Sequence, residues 1–304
     1  MLSSRAAVVV IFCLSATLVH AADERPGQTF KAGDVSIYYE ILGSGAGTPL
    51  VVANGGPGFD HSYMHLSDVW DTMAKTRKVV LYDQRGVGRS SPVAAGASCT
   101  LRDQIDDLEA LRAHIGVERM DLLGHSWGGY LVMAYAARYP QHIERLLIVD
   151  SAAPKIGDTV FLFKDVFPEG VGREDADEFA GQMGDKAAQG RSLREYLSML
   201  FYSPERRDAA LAKMTNVDEN REVNEAIWKD LQRFDLNPEL PKYHFPTMVM
   251  TGRYDINVAP VVAYKIHKAI AGSEFVVFDR SGHLPFYEEP EKFVKTVEGF
   301  LAKE

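Results

Sequence analysis

The stretch Met120–Tyr139, MDLLGHSWGGYLVMAYAARY, constrains this chain more than any other. Met120 to Leu123 is short and mostly apolar, as a buried strand is. Tyr130–Tyr139 reads as an Ala-rich helix stopped by Pro140. Between them Gly124-His125-Ser126-Trp127-Gly128 fits G-x-S-x-G. Strand, sharp turn and helix is the setting in which that pentapeptide forms a nucleophile elbow. The turn squeezes the backbone, so Gly124 and Gly128 stand where a Cβ would clash. Ser126 is left with its hydroxyl projecting above the sheet edge and its backbone near a helix N-terminus, where negative charge is favoured. Alone, the pentapeptide should arise by chance in about one chain of this length in ten, so its flanks and the residues downstream carry the weight.

Those flanks alternate between strand and helix. From Thr29 onward the pattern predicts strands at Val35–Leu42, Pro49–Ala53 and Lys78–Tyr82, then a helix at Asp103–Ile115, then the elbow and a strand at Ile143–Val149. Pro49–Ala53 is an unbroken apolar run, as expected of a strand covered on both faces, and Lys78–Tyr82 reads as the next buried strand. After Asp150-Ser151 the rhythm changes. Residues 152–239 show helical patterns and no convincing strand, and Lys155–Glu239 holds 18 Asp/Glu against 12 Lys/Arg. Strand character resumes at Thr247–Thr251, followed by a helix at Pro260–Ala271, a strand at Phe275–Phe278 and a last helix from Pro290. The chain therefore predicts an α/β fold, a mostly parallel sheet with helices on both faces. Residues 22–151 and 240–304 form its core, and 152–239 a helical cap over the carboxyl edge of the strands, where such folds bind ligands.

The N-terminus stands apart from that core. One arginine in Met1–Arg5, an apolar run Ala6–Val19 and the small residue Ala21 before Ala22 make the three-part layout of a secretory signal peptide, with cleavage expected after residue 21. About 14 apolar residues fall short of the ~20 that a helix needs to span a bilayer, so no stable membrane insertion is expected after cleavage. The chain is then secreted or periplasmic. Cleavage takes the net charge from −9 to −10, which argues against nucleic acid or an anionic membrane as partner. Cys13 leaves with the signal and Cys99 remains alone, so no intrachain disulfide forms.

A serine hydroxyl is a poor nucleophile until a base takes its proton, and the base needs an acid to orient it. On an elbow of this kind the order along the chain is Ser, Asp or Glu, then His. Asp255 follows the strand ending at Thr251, and His283 follows the strand Phe275–Phe278. Ser126, Asp255 and His283 thus all fall at carboxyl ends of strands. His125 is read as structural, pointing to the other side of the elbow. An oxyanion needs two N–H donors; Trp127, next after the serine, supplies one, and Gly56 in Gly55-Gly56-Pro57-Gly58 the other, with Gly55 lining the substrate. Asp83 and Arg85 read as a buried ion pair shaping a neighbouring loop. No H-E-x-x-H, paired-cysteine, Walker or dinucleotide motif is present, so no metal or other cofactor is implied.

Taken as a set, NGGPG at Asn54–Gly58, YDQRGVGRS at Tyr82–Ser90, GHSWGG at Gly124–Gly129, TGRYD at Thr251–Asp255 and SGH at Ser281–His283 resemble the proline iminopeptidase family of α/β-hydrolases. The resemblance runs from about residue 28 to the end and is loose in the cap. It implies the α/β-hydrolase fold, the Ser126–His283–Asp255 triad, an oxyanion hole at Gly56 and Trp127, and release of N-terminal residues from peptides or amino-acid amides. It also implies carboxylates against the substrate's ammonium, one in the cap and one directly after the triad aspartate. Glu225 resembles the cap carboxylate, although a solvated helix face accounts for it equally well. The other position is Ile256, and Asn54 stands where the family usually has His. Two readings follow: an aminopeptidase preferring Pro or another small apolar residue, or a carboxylesterase or amidase on the same triad. In both the partner is a small peptide, amide or ester; a non-catalytic binding protein on the same scaffold is the third.

Overall fold

A computed structural model describes residues 26–214 and 219–303; the expected signal peptide lies outside the described residues. Eight strands form one sheet: β1 Gln28–Ala32, β2 Val35–Leu42, β3 Leu50–Ala53, β4 Val79–Tyr82, β5 Met120–His125, β6 Ile143–Val149, β7 Thr247–Gly252 and β8 Glu274–Phe278. Their order is β1-β2-β4-β3-β5-β6-β7-β8. β1 and β2 pair antiparallel, as do β2 and β4, and every later pairing is parallel. The sequence pattern leaves β1 unassigned: it is an edge strand with a mixed burial pattern and no apolar run. β3, β4, β5 and β7 are buried along their whole length, which is why β3 and β4 read as apolar runs and β5 and β7 as mostly apolar ones.

Side chains alternate across the strands into two cores. Val51, Val80 and Leu122 face one layer with helices α2 (Leu101–His114) and α3 (Trp127–Arg138). Val52, Leu81 and Leu123 face the other, with α1 (Val69–Met73) and the C-terminal helix, Pro290–Leu301. α2 starts at Thr100, whose hydroxyl accepts from the Asp103 N–H while Asp103 reaches back to the Thr100 N–H; such a box stabilises a helix start by ~1 kcal/mol.

Between β6 and β7 the described residues hold helices and no strand: α4 Phe163–Val166, α5 Pro168–Gln182, α6 Lys186–Ser198, α7 Pro204–Lys213 and α8 Arg221–Leu231. α9 (Pro260–Ala269), α10 (Pro285–Glu288) and α11 (Pro290–Leu301) complete the chain. The helical insertion is a cap anchored on two core loops. The Asn220 N–H donates to the Gly58 carbonyl (2.8 Å) and the Asn224 amide to the Pro57 carbonyl (2.9 Å). On the other side the His283 N–H donates to the Leu200 carbonyl (2.8 Å), and Glu288 accepts the N–H groups of Ser203 (2.8 Å) and Gly282 (2.6 Å). The two loops that carry Gly56 and His283 are therefore set by the cap.

Candidate active site

Ser126 sits between β5 and α3 with φ 58 and ψ −122, a sparsely populated backbone conformation that costs on the order of 1–3 kcal/mol. The fold holds it there by contact. A Cβ on Gly124 would meet the Gly128 carbonyl, and one on Gly128 would meet the Ala53 and Asn54 carbonyls. The Ser126 N–H donates to the Val149 carbonyl at 2.9 Å, tying the elbow to the end of β6.

Asp255 and His283 are in direct contact: the ring nitrogen Nδ1 lies 2.7 Å from Asp255 Oδ2. The other carboxylate oxygen accepts the N–H groups of Asn257 and Val258, both at 2.9 Å. With Nδ1–H donated to Asp255, His283 Nε2 is the lone-pair nitrogen, and it accepts from the Asn257 amide at 2.9 Å. Ser126 and His283 line one narrow slot with Gly55, Gly56, Tyr63 and Tyr196. The structure thus brings the three residues to one sheet edge and gives Nε2 to Asn257 rather than to Ser126.

His125 does not point away as the sequence suggests. It lies within the slot wall, its ring 4.8 Å from that of His283. The Gly55 N–H donates to the Tyr63 hydroxyl (2.5 Å), that hydroxyl to His125 Nδ1 (2.7 Å), and His125 Nε2–H to the His283 carbonyl (2.7 Å). Burial, and then the neighbouring imidazole, hold His125 neutral well below the ordinary histidine range. The Gly55 N–H is occupied by this relay. Among the described residues the Gly56 and Trp127 N–H groups have no such partner.

Asp150, at the end of β6, is a further buried acid that the sequence reading passes over. Its Oδ1 accepts the Gly252 N–H at 2.9 Å and its Oδ2 has no partner among the described residues. Burial first, then the Asp255 charge beside it, push its carboxyl well above the usual carboxylate range.

Beside the slot a chamber of about 350 Å³ shares Gly56, Phe59 and Tyr196 with it. Three carboxylates line the chamber: Glu174 and Glu178 from α5, and Glu219 just before α8. Arg221 pairs with both oxygens of Glu178 at 2.7 Å, and the Asn224 amide donates to Glu219 at 2.8 Å. Burial and the surrounding acids raise Glu174 to about 7. Glu225, the cap carboxylate suggested by the sequence, is exposed and lies outside the chamber. Ile256 is buried with Val171 and Met199, an apolar seam between cap and core. Asp83 and Arg85 are both buried but are not partners: Arg85 grips Asp107 (2.7 and 2.8 Å), while Asp83 holds His61. A larger hollow of about 960 Å³ along α11 contains none of these residues.

With this geometry in place, similarity to known proteins narrows the assignment. A family profile described as alpha/beta hydrolase fold matches residues 48–290. The proline iminopeptidase of Saccharolobus solfataricus is 31% identical over 88% of this chain and 89% of its own. That of Lactobacillus helveticus is 30% identical over 87% of this chain and 93% of its own. The chain belongs to the proline iminopeptidase family of α/β-hydrolases. Among solved structures, the enol-lactonase from Burkholderia xenovorans LB400 is similar with a TM-score of 0.72 at 25% identity, covering 91% of this chain and all of that one. As a member of this family the chain is a serine hydrolase.

Proposed function

We propose that this family member releases N-terminal Pro or another small apolar residue from peptides or amides, through an acyl-enzyme on Ser126. The observation that carries the reading is the acidic chamber. A substrate's ammonium brought out of water needs a close anion, and Glu174 and Glu219 offer it on the side of the slot where Gly56 lies. Arg221 already neutralises Glu178. Glu174 and Glu219, which line the chamber, take the role that the family resemblance suggests for Glu225.

In the first half-reaction Ser126 Oγ bonds to the acyl carbon while its proton passes to His283 Nε2. Asn257 occupies that nitrogen at rest, so substrate entry exchanges the amide for the serine hydroxyl. The Gly56 and Trp127 N–H groups receive the oxyanion. The Asp255 carboxylate keeps Nδ1 protonated and stabilises the imidazolium. His283 then protonates the leaving amine as the C–N bond breaks, and water repeats the sequence to free Ser126. An ester- or amide-directed hydrolase on the same residues is the second reading, favoured by the apolar Ile256. Aminoacyl-naphthylamides assayed beside short-chain esters decide between them; turnover of esters alone rejects the peptidase. Export is also proposed, and N-terminal sequencing of mature protein beginning at Ala22 tests it.

A further inference from the structure

We propose that Glu40, His61 and His65 form a binding site for a divalent transition-metal ion of the zinc class, which pins the segment carrying Tyr63 to β2. Glu40 and His61 are 2% and 3% exposed, and His65 is half-buried. One ligand atom from each of the three lies within 4.8 Å of the others. His61 Nε2 is 3.3 Å from Glu40 Oε1, and His65 Nε2 is 3.1 Å from Glu40 Oε2. Tetrahedral zinc with bonds of about 2.0–2.2 Å sets its ligand atoms roughly 3.3 Å apart, close to the spacing of each imidazole nitrogen from the Glu40 carboxylate. Two imidazoles and a carboxylate also suit zinc, leaving one position for water.

The surroundings prepare the ligands. Asp83 Oδ1 lies 2.6 Å from His61 Nδ1, the carboxylate–histidine support that fixes which nitrogen faces a metal. That leaves His61 Nε2 buried, aimed at Glu40 and without a hydrogen-bond partner among the described residues. Arg89 (2.7 Å) and the Tyr38 hydroxyl (3.0 Å) hold the Glu40 carboxylate in place through Oε1. No sequence motif announces the site, because Glu40 comes from a strand and the histidines from the turn after the glycine loop. The histidines flank Tyr63, whose hydroxyl receives the Gly55 N–H, so a bound ion would stiffen the wall of the catalytic slot from behind.

The full chain, stripped with EDTA, should be titrated with ZnCl2 by calorimetry and with CoCl2 by visible absorption, and melted with and without zinc. One ion per chain, the strong visible bands of low-coordinate cobalt and a raised Tm are expected. His65→Gln should weaken binding about 100-fold and abolish the Tm rise, and Asp83→Asn should weaken it about 10–100-fold. Labelling of Ser126 by a fluorophosphonate reports that each variant is folded. Three results overturn the proposal: no binding at micromolar zinc, which leaves His61 sharing a proton between Asp83 and Glu40; binding unchanged in His65→Gln; or zinc that blocks Ser126 labelling, which puts the ion on the His125–Asp150–His283 group instead.

Discussion

The slot around Ser126 and the chamber in the cap are neighbours built in opposite ways. In the slot, backbone geometry and strand ends do the positioning, and His125, Asp255 and His283 are buried with fixed partners. In the chamber, carboxylates project from cap helices, Glu174 is half-buried, and like charges crowd together. The slot is built for one proton transfer; the chamber stores negative charge that a cation can relieve. On the proposed function, chemistry belongs to the slot and selectivity to the cap chamber.

Substitutions should separate the two regions. Ser126→Ala should lower kcat about 10⁴–10⁶-fold for esters and aminoacyl substrates alike, and Asp255→Asn about 10⁴-fold, measured by steady-state assay on both. The double change Glu174→Gln/Glu219→Gln should raise KM for an aminoacyl-naphthylamide about 10–100-fold, the loss of a charged contact. KM for a short-chain ester should stay within about threefold, and Glu225→Gln should move neither. Equal losses on both substrates would dissolve the distinction between slot and chamber.

A pH series sharpens it further. Only ionised Glu174 attracts an ammonium, and its carboxyl sits at about 7. KM for free-amine substrates should therefore rise as pH falls through about 7, by about threefold, while ester KM stays flat. Smallest of all is Asp150→Asn. Burial and the Asp255 charge favour the neutral carboxyl of Asp150, so the amide should change kcat less than about threefold and stability by under ~1 kcal/mol, read by urea melts. A large loss would mean that Asp150 is charged beside Asp255.

The same contrast explains what could be read from sequence. The elbow is local: strand, turn and helix lie within twenty residues, and Gly124 and Gly128 mark the tight approach. Asp255 and His283 were placed by strand ends alone, which the apolar runs of β7 and β8 announce. The groups around them are hidden in the sequence, since Asn257, Tyr63 and Asp150 matter only through contacts across the fold. Asp83 and Arg85 looked like a pair because they share a loop, but Arg85's partner comes from α2, on a helix the loop itself cannot reveal. Glu225 and the chamber acids differ by helix rotation and tilt, which periodicity in a cap with no strand to fix it does not determine. The outward placement of Glu225 follows from that packing.

The most direct measurement compares Pro-β-naphthylamide with its N-acetyl derivative, a pair that differs in the ammonium and keeps the scissile bond. Chamber carboxylates that hold the charge should give a kcat/KM at least 100-fold higher for the free amine. Equal rates, or faster cleavage of the capped compound, would contradict the account and leave an ester- or amide-directed enzyme.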